Sequence, residues 1–440
     1  MTCRRLLFAV MIGLTWSGVS FAVVAPFGSE FQVNTYTTYP QTRADVCSSA
    51  DGNFVVVWQS YYQDRDGYGV FGQRYSSNGG RLGTEFQVNT YTTNFQSFPS
   101  ICCDAAGNFV VVWASNNQDG NNEGIFGQRF ASDGDRVGEE FQVNTYTSED
   151  QTHPAVCCDA AGDFVVSWQS FDQDGSDYGI FAQRFGSNGA FRGAEFQVNT
   201  YTPSIQQNSS LCCDARGNFT IVWESDDGQD GDGDGVFGQR FSSNGAFRGN
   251  EFQVNTYTTG HQDYPTICCD ASGNFVVAWQ KEYRDTEYTD IFTQRFTSTG
   301  KQRGTEFEVN TYTTDFQLNP DVCCGKDGSF TIVWDSKASR YGPSRVEARR
   351  YAPNGNPDSP EFQVTTYTSA AYPAIACDDD GRFVVVWGSF RFEGVEEDIF
   401  GKQFRVLTQL PTPVLSWIGL GAAAAGLFGF GRATLRRRKK

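Results

Sequence analysis

Glu30-Phe31-Gln32-Val33-Asn34-Thr35-Tyr36-Thr37 decides the fold of this chain, because the phrase is repeated along it. The phrase returns, with small changes in the last two copies, at Glu85, Glu140, Glu195, Glu251, Glu306 and Glu361. The spacing is 55 residues, with a single interval of 56. Copies at a fixed period of this size are typical of solenoids, propellers and arrays. We therefore expect residues 23–405 to form one repeat domain.

Each repeat has the pattern of four short strands separated by turn residues. In one copy these are Ile101–Asp104, Asn108–Ser115, Gly124–Ala131 and Glu140–Tyr146, and four strands make a propeller blade. The second strand is apolar at every position, so it must be covered on both faces. It carries one tryptophan per copy, which we interpret as an interblade core residue: Trp58, Trp113, Trp168, Trp223, Trp279, Trp334 and Trp387.

The prediction is an all-β, seven-bladed β-propeller of four-stranded blades. The first copy opens with a fourth-type strand, Glu30–Tyr36, and the last copy ends after a third strand, Asp398–Phe404. The N-terminal strand is therefore expected to complete the last blade, which closes the ring and removes an open sheet edge. A β-solenoid is the alternative, although a 55-residue coil is long for one.

Twelve cysteines follow the N-terminal segment, all on the strand assigned to the innermost position. Neighbouring residues of a strand point to opposite faces, so each cysteine pair reaches both adjacent blades. Joining the first cysteine of each blade to the second of the next uses all twelve: Cys47–Cys103, Cys102–Cys158, Cys157–Cys213, Cys212–Cys269, Cys268–Cys324 and Cys323–Cys377. Five vicinal bonds plus Cys47–Cys377 would also use all twelve, and free thiols remain an alternative.

Acidic turns join the second and third strands of the first four copies. Alternating Asp and Gly can wrap oxygen ligands around Ca²⁺, so we treat eight aspartates as candidate calcium ligands: Asp64, Asp66, Asp172, Asp174, Asp177, Asp230, Asp232 and Asp234. Asp230, Asp232 and Asp234 form the strongest candidate, yet the bidentate Glu of an EF-hand is missing, because Phe241 stands there. A solvated acidic turn is the simpler alternative.

Signals of enzymatic chemistry are sparse. The two histidines, His153 and His261, have no metal-ligand spacing, and no nucleophile elbow or phosphate loop is present. The formal net charge is −17, and because the two terminal segments contribute 2 and 6 positive charges and no acids, residues 23–405 carry −25. Such a surface repels nucleic acid and attracts cations or basic partners.

The two ends of the chain predict export. Residues 1–22 combine two arginines, an apolar run and a small-residue ending, as in a cleavable signal peptide. Residues 406–413 form a linker, 414–431 an apolar segment just long enough to span a bilayer, and 432–440 a basic cytoplasmic tail. The end of the chain, with Pro411-Thr412-Pro413, resembles the tripartite PEP-CTERM tails processed by exosortase-type enzymes. That resemblance implies a sorting protease; a plain membrane anchor is the alternative.

The repeat phrases also resemble those of large bacterial extracellular proteins. The resemblance rests on Glu-Phe-Gln-Val-Asn-Thr-Tyr-Thr, Gly-Asn-Phe-Val-Val-Val-Trp and Gly-Ile-Phe-Gly-Gln-Arg-Phe, and it implies a cell-surface or extracellular setting. We therefore expect a non-enzymatic surface propeller that binds a polysaccharide, a matrix component or a surface protein. The alternative is a glycosidase or lyase, which would require carboxylates from different blades to converge.

Overall fold

The computed structural model describes residues 22–226, 228–284, 288–339, 342–366, 369–390 and 397–407. The predicted signal peptide up to residue 21, the apolar segment 414–431 and the basic tail 432–440 lie outside the described residues, as does the linker from residue 408 onward. Within the described ranges, no helix has the length and hydrophobicity that crossing a bilayer requires.

Each repeat begins with a strand that carries the cysteines, and we number the repeats one to seven by these first strands. They are β3 (Gln41–Ser48), β7 (Gln96–Cys103), β11 (Gln151–Cys158), β15 (Gln206–Cys213), β19 (His261–Cys269), β23 (Phe316–Cys324) and β27 (Ala370–Cys377). The second strands, which carry the tryptophans, are β4 (Phe54–Tyr61), β8 (Phe109–Asn116), β12 (Phe164–Phe171), β16 (Phe219–Ser225), β20 (Phe275–Glu282), β24 (Phe330–Lys337) and β28 (Arg382–Phe390).

The third strands end in Arg-Phe or a related pair in most repeats, and the fourth are mostly two residues long. The third strands are β5 (Tyr68–Tyr75), β9 (Glu123–Phe130), β13 (Tyr178–Phe185), β17 (Gly235–Phe241), β21 (Thr289–Phe296), β25 (Ser344–Tyr351) and β29 (Glu397–Leu407). The fourth strands are β6 (Arg81–Gln87), β10 (Phe141–Gln142), β14 (Phe196–Gln197), β18 (Phe252–Gln253), β22 (Phe307–Glu308) and β26 (Phe362–Gln363). Two strands precede repeat one: β1 (Val23–Pro26) and β2 (Phe31–Gln32).

The prediction of seven separate four-stranded blades is wrong. Five sheets have a path of four consecutive strands, as a propeller blade requires, and one of these gains a fifth strand at its side. The remaining strands, β19–β26, form one continuous eight-stranded sheet. The described residues therefore make five four-stranded blades and one larger sheet.

One parallel residue pair joins the two halves of the larger sheet. Thr289 at the start of β21 pairs in parallel with Phe316 at the start of β23. The Thr289 hydroxyl donates to the Gln317 carbonyl at 2.8 Å and accepts from the Gln317 N–H at 3.0 Å. Tyr68, Glu123 and Tyr178, the first residues of β5, β9 and β13, have longer side chains and lack this short hydroxyl.

The first strands form a closed ring around a central channel. Each packs against the first strands of the adjacent repeats, and β27 packs against β3, so the array returns on itself as a solenoid does not. The N-terminal strands β1 and β2 both pair antiparallel with β29. The described residues therefore form an all-β propeller in which β1 and β2 are hydrogen-bonded to β29.

Aromatic rings fill the space between adjacent repeats. The seven tryptophans of the second strands are fully buried. Beside them, a phenylalanine of the second strand stacks on an aromatic ring of the third, as Phe109 does on Phe130 at 4.8 Å between centroids. Phe86, from the fourth strand of the preceding repeat, lies 5.5 Å from Phe130, so each junction contains a three-ring cluster.

Six disulfide bonds connect consecutive first strands, so the prediction of disulfide bonding is confirmed. The bonds are Cys47–Cys103, Cys102–Cys158, Cys157–Cys213, Cys212–Cys269, Cys268–Cys324 and Cys323–Cys377. The Cα–Cα distances are 5.5 to 5.7 Å, within the ordinary range for a disulfide. Disulfide bonds are consistent with an extracellular protein.

The first strands begin earlier than the sequence predicts. Strand β7 starts at Gln96 instead of Ile101, and its pairing with β8 shifts register between Ser97 and Ser100. Pro99 lies in this interval and has no N–H to donate, which suits a bulge, although the repeats with Ala44 and Ser209 at this position bulge as well. The same shift interrupts every first strand, and it shapes the candidate site.

Candidate functional site at the channel mouth

One residue in each bulge has a left-handed backbone and points to one end of the channel. These seven equivalent residues are Arg43, Phe98, His153, Asn208, Tyr264, Asn319 and Tyr372, with φ between 49° and 54°. Non-glycine residues rarely adopt this conformation, which costs about 1 to 3 kcal/mol and is concentrated at functional sites. The repeats are otherwise nearly identical, yet this position carries five residue types.

These residues line a cavity of about 610 Å³, which we call the mouth. Tyr264 and Tyr372 are half exposed, at 49% and 50%, and the guanidinium of Arg43 lies 4.5 Å from the ring centroid of Phe98. The His153 ring is 3.9 Å from Phe98, and burial together with the charge of Arg43 lowers the pKa of His153 to about 4. The volume and the mixture of aromatic and polar side chains suit a small-molecule or chain-end ligand.

In five of the seven cases, the residue after the buried tryptophan supports the mouth residue of the next repeat. Gln59 Oε1 accepts from the Phe98 N–H at 3.0 Å, and Glu224 Oε2 accepts from the Tyr264 N–H at 3.1 Å. The same contact joins Gln169 to Asn208, Gln280 to Asn319 and Asp335 to Tyr372. These five bulges are thus held from the neighbouring repeat.

Two of these supporting residues are acids and make a second contact. Glu224 also accepts from Asn208 Nδ2 at 3.0 Å, and Asp335 from Asn319 Nδ2 at 2.9 Å. Both acids are buried, at 4% and 0% exposure, and burial raises the pKa of Asp335 to about 7. The side of the mouth formed by repeats four to six is therefore rich in acceptors.

Below the mouth, two aspartates face the channel from repeats one and six. Asp45 Oδ2 accepts from the Ile101 N–H at 2.9 Å, and Asp321 Oδ2 from the Ile375 N–H at 2.8 Å. Burial raises the pKa of both carboxyls, that of Asp321 to about 7. Each joins its own first strand to that of the next repeat.

An acidic cluster lies beside the mouth, between repeats four and five. Carboxylate and imidazole atoms converge within 4.8 Å in two groups, Asp234-His261-Asp263 and Glu224-Asp226-Asp234. Burial, reinforced by the charges of Glu224 and Asp234, raises the pKa of Asp226 to about 7 and of Asp263 to about 8. His261 Nδ1 is 2.7 Å from Asp234 Oδ2. These residue types could ligate a divalent cation.

Among the described residues, no three of the eight predicted calcium ligands come close enough together to hold one ion. Asp64 and Asp174 accept from backbone N–H groups of their own turns and from Gln87 and Gln197, and Asp66 accepts from the Asn94 N–H. Asp172 and Asp177 meet through a backbone hydrogen bond of 2.7 Å. In repeat four, Asp230 bonds to Asn255, Asp232 pairs with Arg284, and Asp234 joins the acidic cluster.

The mouth residues are the part of the site that motif-based reasoning missed. Five of the seven directly precede a proline, and in all repeats they occupy one variable column of an otherwise constant pattern. Comparing the repeats column by column would have found that signal. The sequence did not predict that His261 and Asp263 belong to a site, because their neighbour Asp234 lies 27 and 29 residues away along the chain.

No protein-family model matches this chain, and no curated protein matches it. Among solved structures it is similar to a protein of unknown function from Dyadobacter fermentans DSM 18053, at 9% identity and a TM-score of 0.54, over 87% of this chain and 99% of that one. The β-propeller domain of the Trilobed protease from Pyrococcus furiosus gives 9% identity and a TM-score of 0.49, over 87% and 99%. An α-L-arabinofuranosidase of Fusarium graminearum gives 11% and 0.45, over 84% and 98%.

At these identities the likeness concerns the fold alone. The ring of first strands, the sheets and the disulfides define the chain as a disulfide-linked repeat protein of the propeller type.

Proposed function

We propose that this protein is an extracellular binding protein that holds part of a glycan in the mouth. The observation that carries the proposal is the ring of mouth residues, one from each repeat, which differ in type where the rest of the repeat is constant. Half-exposed tyrosines offer flat apolar surface to the C–H face of a sugar, and the amides of Asn208 and Asn319 offer hydrogen bonds to its hydroxyls. A polysaccharide is thus the preferred partner over a matrix component or surface protein.

The binding test combines a glycan panel with variants at the two ends of the channel. Tyr264→Ala and Tyr372→Ala should each weaken binding about tenfold, because each removes a central aromatic contact. Phe247→Ala is the matched control, since Phe247 is 56% exposed but follows β17 at the opposite end of the channel. Equal loss in all three variants, or no binding by the native protein across the panel, would refute the proposal.

The second candidate function is glycoside hydrolysis, and one observation favours it. Carboxylates of repeats four and five, Asp234 and Asp263, lie within 4.8 Å of each other, close to the separation of about 5 Å in retaining glycosidases. The raised pKa of Asp263 would keep this group protonated near neutral pH, as a general acid requires. Asp263→Asn should then abolish turnover while binding persists; a broad screen without turnover by the native protein argues against hydrolysis.

We also propose that Ca²⁺ binds to the group Glu224-Asp226-Asp234. Three oxygen ligands from repeat four converge there, and burial together with the charges of Glu224 and Asp234 raises the pKa of Asp226, a shift that a bound cation would oppose. Adding millimolar Ca²⁺ to chelated protein should raise the melting temperature of the native protein but not of Asp226→Asn. An unchanged melting temperature of the native protein would exclude the site.

A further inference from the structure

Arg43 is a cation in the mouth whose guanidinium has no described protein partner. Its side chain is exposed, and its guanidinium lies 4.5 Å from the Phe98 centroid and 5.7 Å from that of Tyr372. Among the described residues, no carboxylate or carbonyl forms an ion pair or side-chain hydrogen bond with it, although its charge acts on the carboxyl of Glu397, where it opposes the rise in pKa that burial causes. Both rings are within cation–π distance of the guanidinium, and its N–H groups donate to no described residue, so they can donate to a ligand in the mouth.

Several other arginines of the repeats make hydrogen bonds or ion pairs within the fold. Arg74, Arg129 and Arg184 donate to backbone carbonyls of the next repeat at 2.8 to 2.9 Å. Arg192 pairs with Asp163 at 2.7 Å. Arg43 differs from the other arginines without a side-chain hydrogen bond because its guanidinium lies in the mouth beside two aromatic rings, and this position indicates that its partner comes from outside.

Acids lie on both sides of the mouth, because Asp45 of repeat one also lines it, with its carboxylate bonded to the Ile101 N–H. Glu224 and Asp335 lie on the side of repeats four to six, and their contacts with Asn208 and Asn319 are already made. On the other side, the supporting residues before Arg43 and His153 are Gly388 and Ala114, which have no side-chain oxygen. The backbone N–H groups of Arg43 and His153 therefore lack the side-chain acceptor that the other five bulges have.

We propose that the mouth recognises an anionic substituent of a glycan, a carboxylate or a sulfate ester, through the guanidinium of Arg43. The proposal deepens the glycan-binding function and rests on it. Guanidinium forms paired hydrogen bonds with such oxyanions, which a neutral amide cannot replace. The acidic surface outside the mouth opposes anion binding elsewhere, so binding should be confined to this site.

The experiment compares matched charged and neutral probes by calorimetry at physiological ionic strength. One pair is an oligogalacturonide and its carboxyl-reduced counterpart, and the other is a sulfated galactan oligosaccharide and its desulfated counterpart. We expect a charged probe to bind about tenfold or more tightly than its neutral counterpart. The pair that shows the difference identifies the substituent.

Variants assign the effect to Arg43. Arg43→Gln should lose the preference for the charged probe, and Arg43→Lys should retain part of it, since charge remains but the planar fork is lost. Arg216→Gln is the control, because Arg216 is an exposed arginine in the turn after β15, at the other end of the channel. Unchanged melting temperatures establish that the variants are folded.

The outcomes separate the two proposals. Equal binding of charged and neutral probes overturns the anion proposal and leaves glycan binding standing. A preference that survives in Arg43→Gln also overturns it, because the anion would then bind elsewhere. If neither probe of either pair binds, the anion proposal fails, and a glycan panel that also shows no binding removes the proposed function with it.

Discussion

Asp263 illustrates at the scale of one residue how the site differs from the scaffold. It directly precedes the mouth residue Tyr264, and one of its carboxylate oxygens is buried with no hydrogen-bond partner among the described residues. Burial, with the charges of Glu224 and Asp234, raises its pKa from 3.8 to about 8. The folded state therefore binds a proton that the unfolded state has released across the pH range between these two values.

Asp263→Asn should accordingly stabilise the protein in a pH-dependent manner. Because the folded pKa is raised, native stability falls as pH increases from about 4 through 8, and asparagine removes that loss. We expect a gain on the order of 2 to 3 kcal/mol at pH 8, allowing for solvent screening, and almost none near pH 4. Thermal unfolding at a series of pH values measures the gain.

Asp51→Asn is a control with the opposite sign. The Ser49 hydroxyl bonds to Asp51 and lowers its pKa, so its stabilising contribution is present above the unfolded pKa and is lost as pH falls. This variant should be less stable than native protein at pH 8 and equal to it in acid. If Asp263→Asn followed the same direction, the raised pKa of Asp263 would be contradicted.

At the scale of elements, sequence predicted the strands well but not every junction between them. The second strand is apolar throughout and carries its tryptophan in a constant column, so its burial on both faces followed from the pattern. The continuity of the sheet β19–β26 did not, because it rests on one parallel pair, Thr289 with Phe316, and on the contacts of the Thr289 hydroxyl with the Gln317 backbone. Contacts of that kind depend on the spacing between sheets, which sequence does not give.

The sequence shows the three aromatic positions of each cluster as separate columns of the repeat, but it does not show that the three rings pack together. Phe109 and Phe130 face each other across one pair of strands, whereas Phe86 arrives from the preceding repeat. Strand pairing can be predicted from alternation and turns, while the approach of a ring from another sheet requires the closed ring. The variable mouth column was missed for the same reason, since its members meet only across the channel.

Phe130→Ala should therefore be strongly destabilising. Phe130 is 2% exposed and contacts both other rings of its cluster, so truncation leaves a cavity that costs about 3 to 5 kcal/mol. Phe95→Ala is the control, because Phe95 is 46% exposed and should cost less than about 1 kcal/mol. Urea unfolding of both variants gives the comparison, and similar midpoints would show that the clusters do not hold the repeats together.

At the scale of the whole molecule, one junction of the ring has no disulfide bond. Six bonds join β3 through β27 in order, whereas β27 and β3 meet without one. Ser48 and Ala376 occupy the positions that carry the bonded cysteines at the other junctions. The last sheet is completed by the pairing of β1 and β2 with β29, which is noncovalent. Opening of the oxidised protein should therefore begin where these strands separate and β27 leaves β3.

The double variant Ser48→Cys with Ala376→Cys should form a seventh bond and remove that route. Disulfides typically contribute about 2 to 4 kcal/mol, and here the gain should appear mainly as slower unfolding, since the ring could no longer open at its unlinked junction. Peptide mapping without reductant verifies the bond, and unfolding rates with and without reductant measure its effect. Each single variant leaves one unpaired thiol and serves as control. A bond that forms without slowing unfolding would place the first opening at another junction, and would mean that the pairing of β1 and β2 with β29 already holds the ring as firmly as the disulfides do.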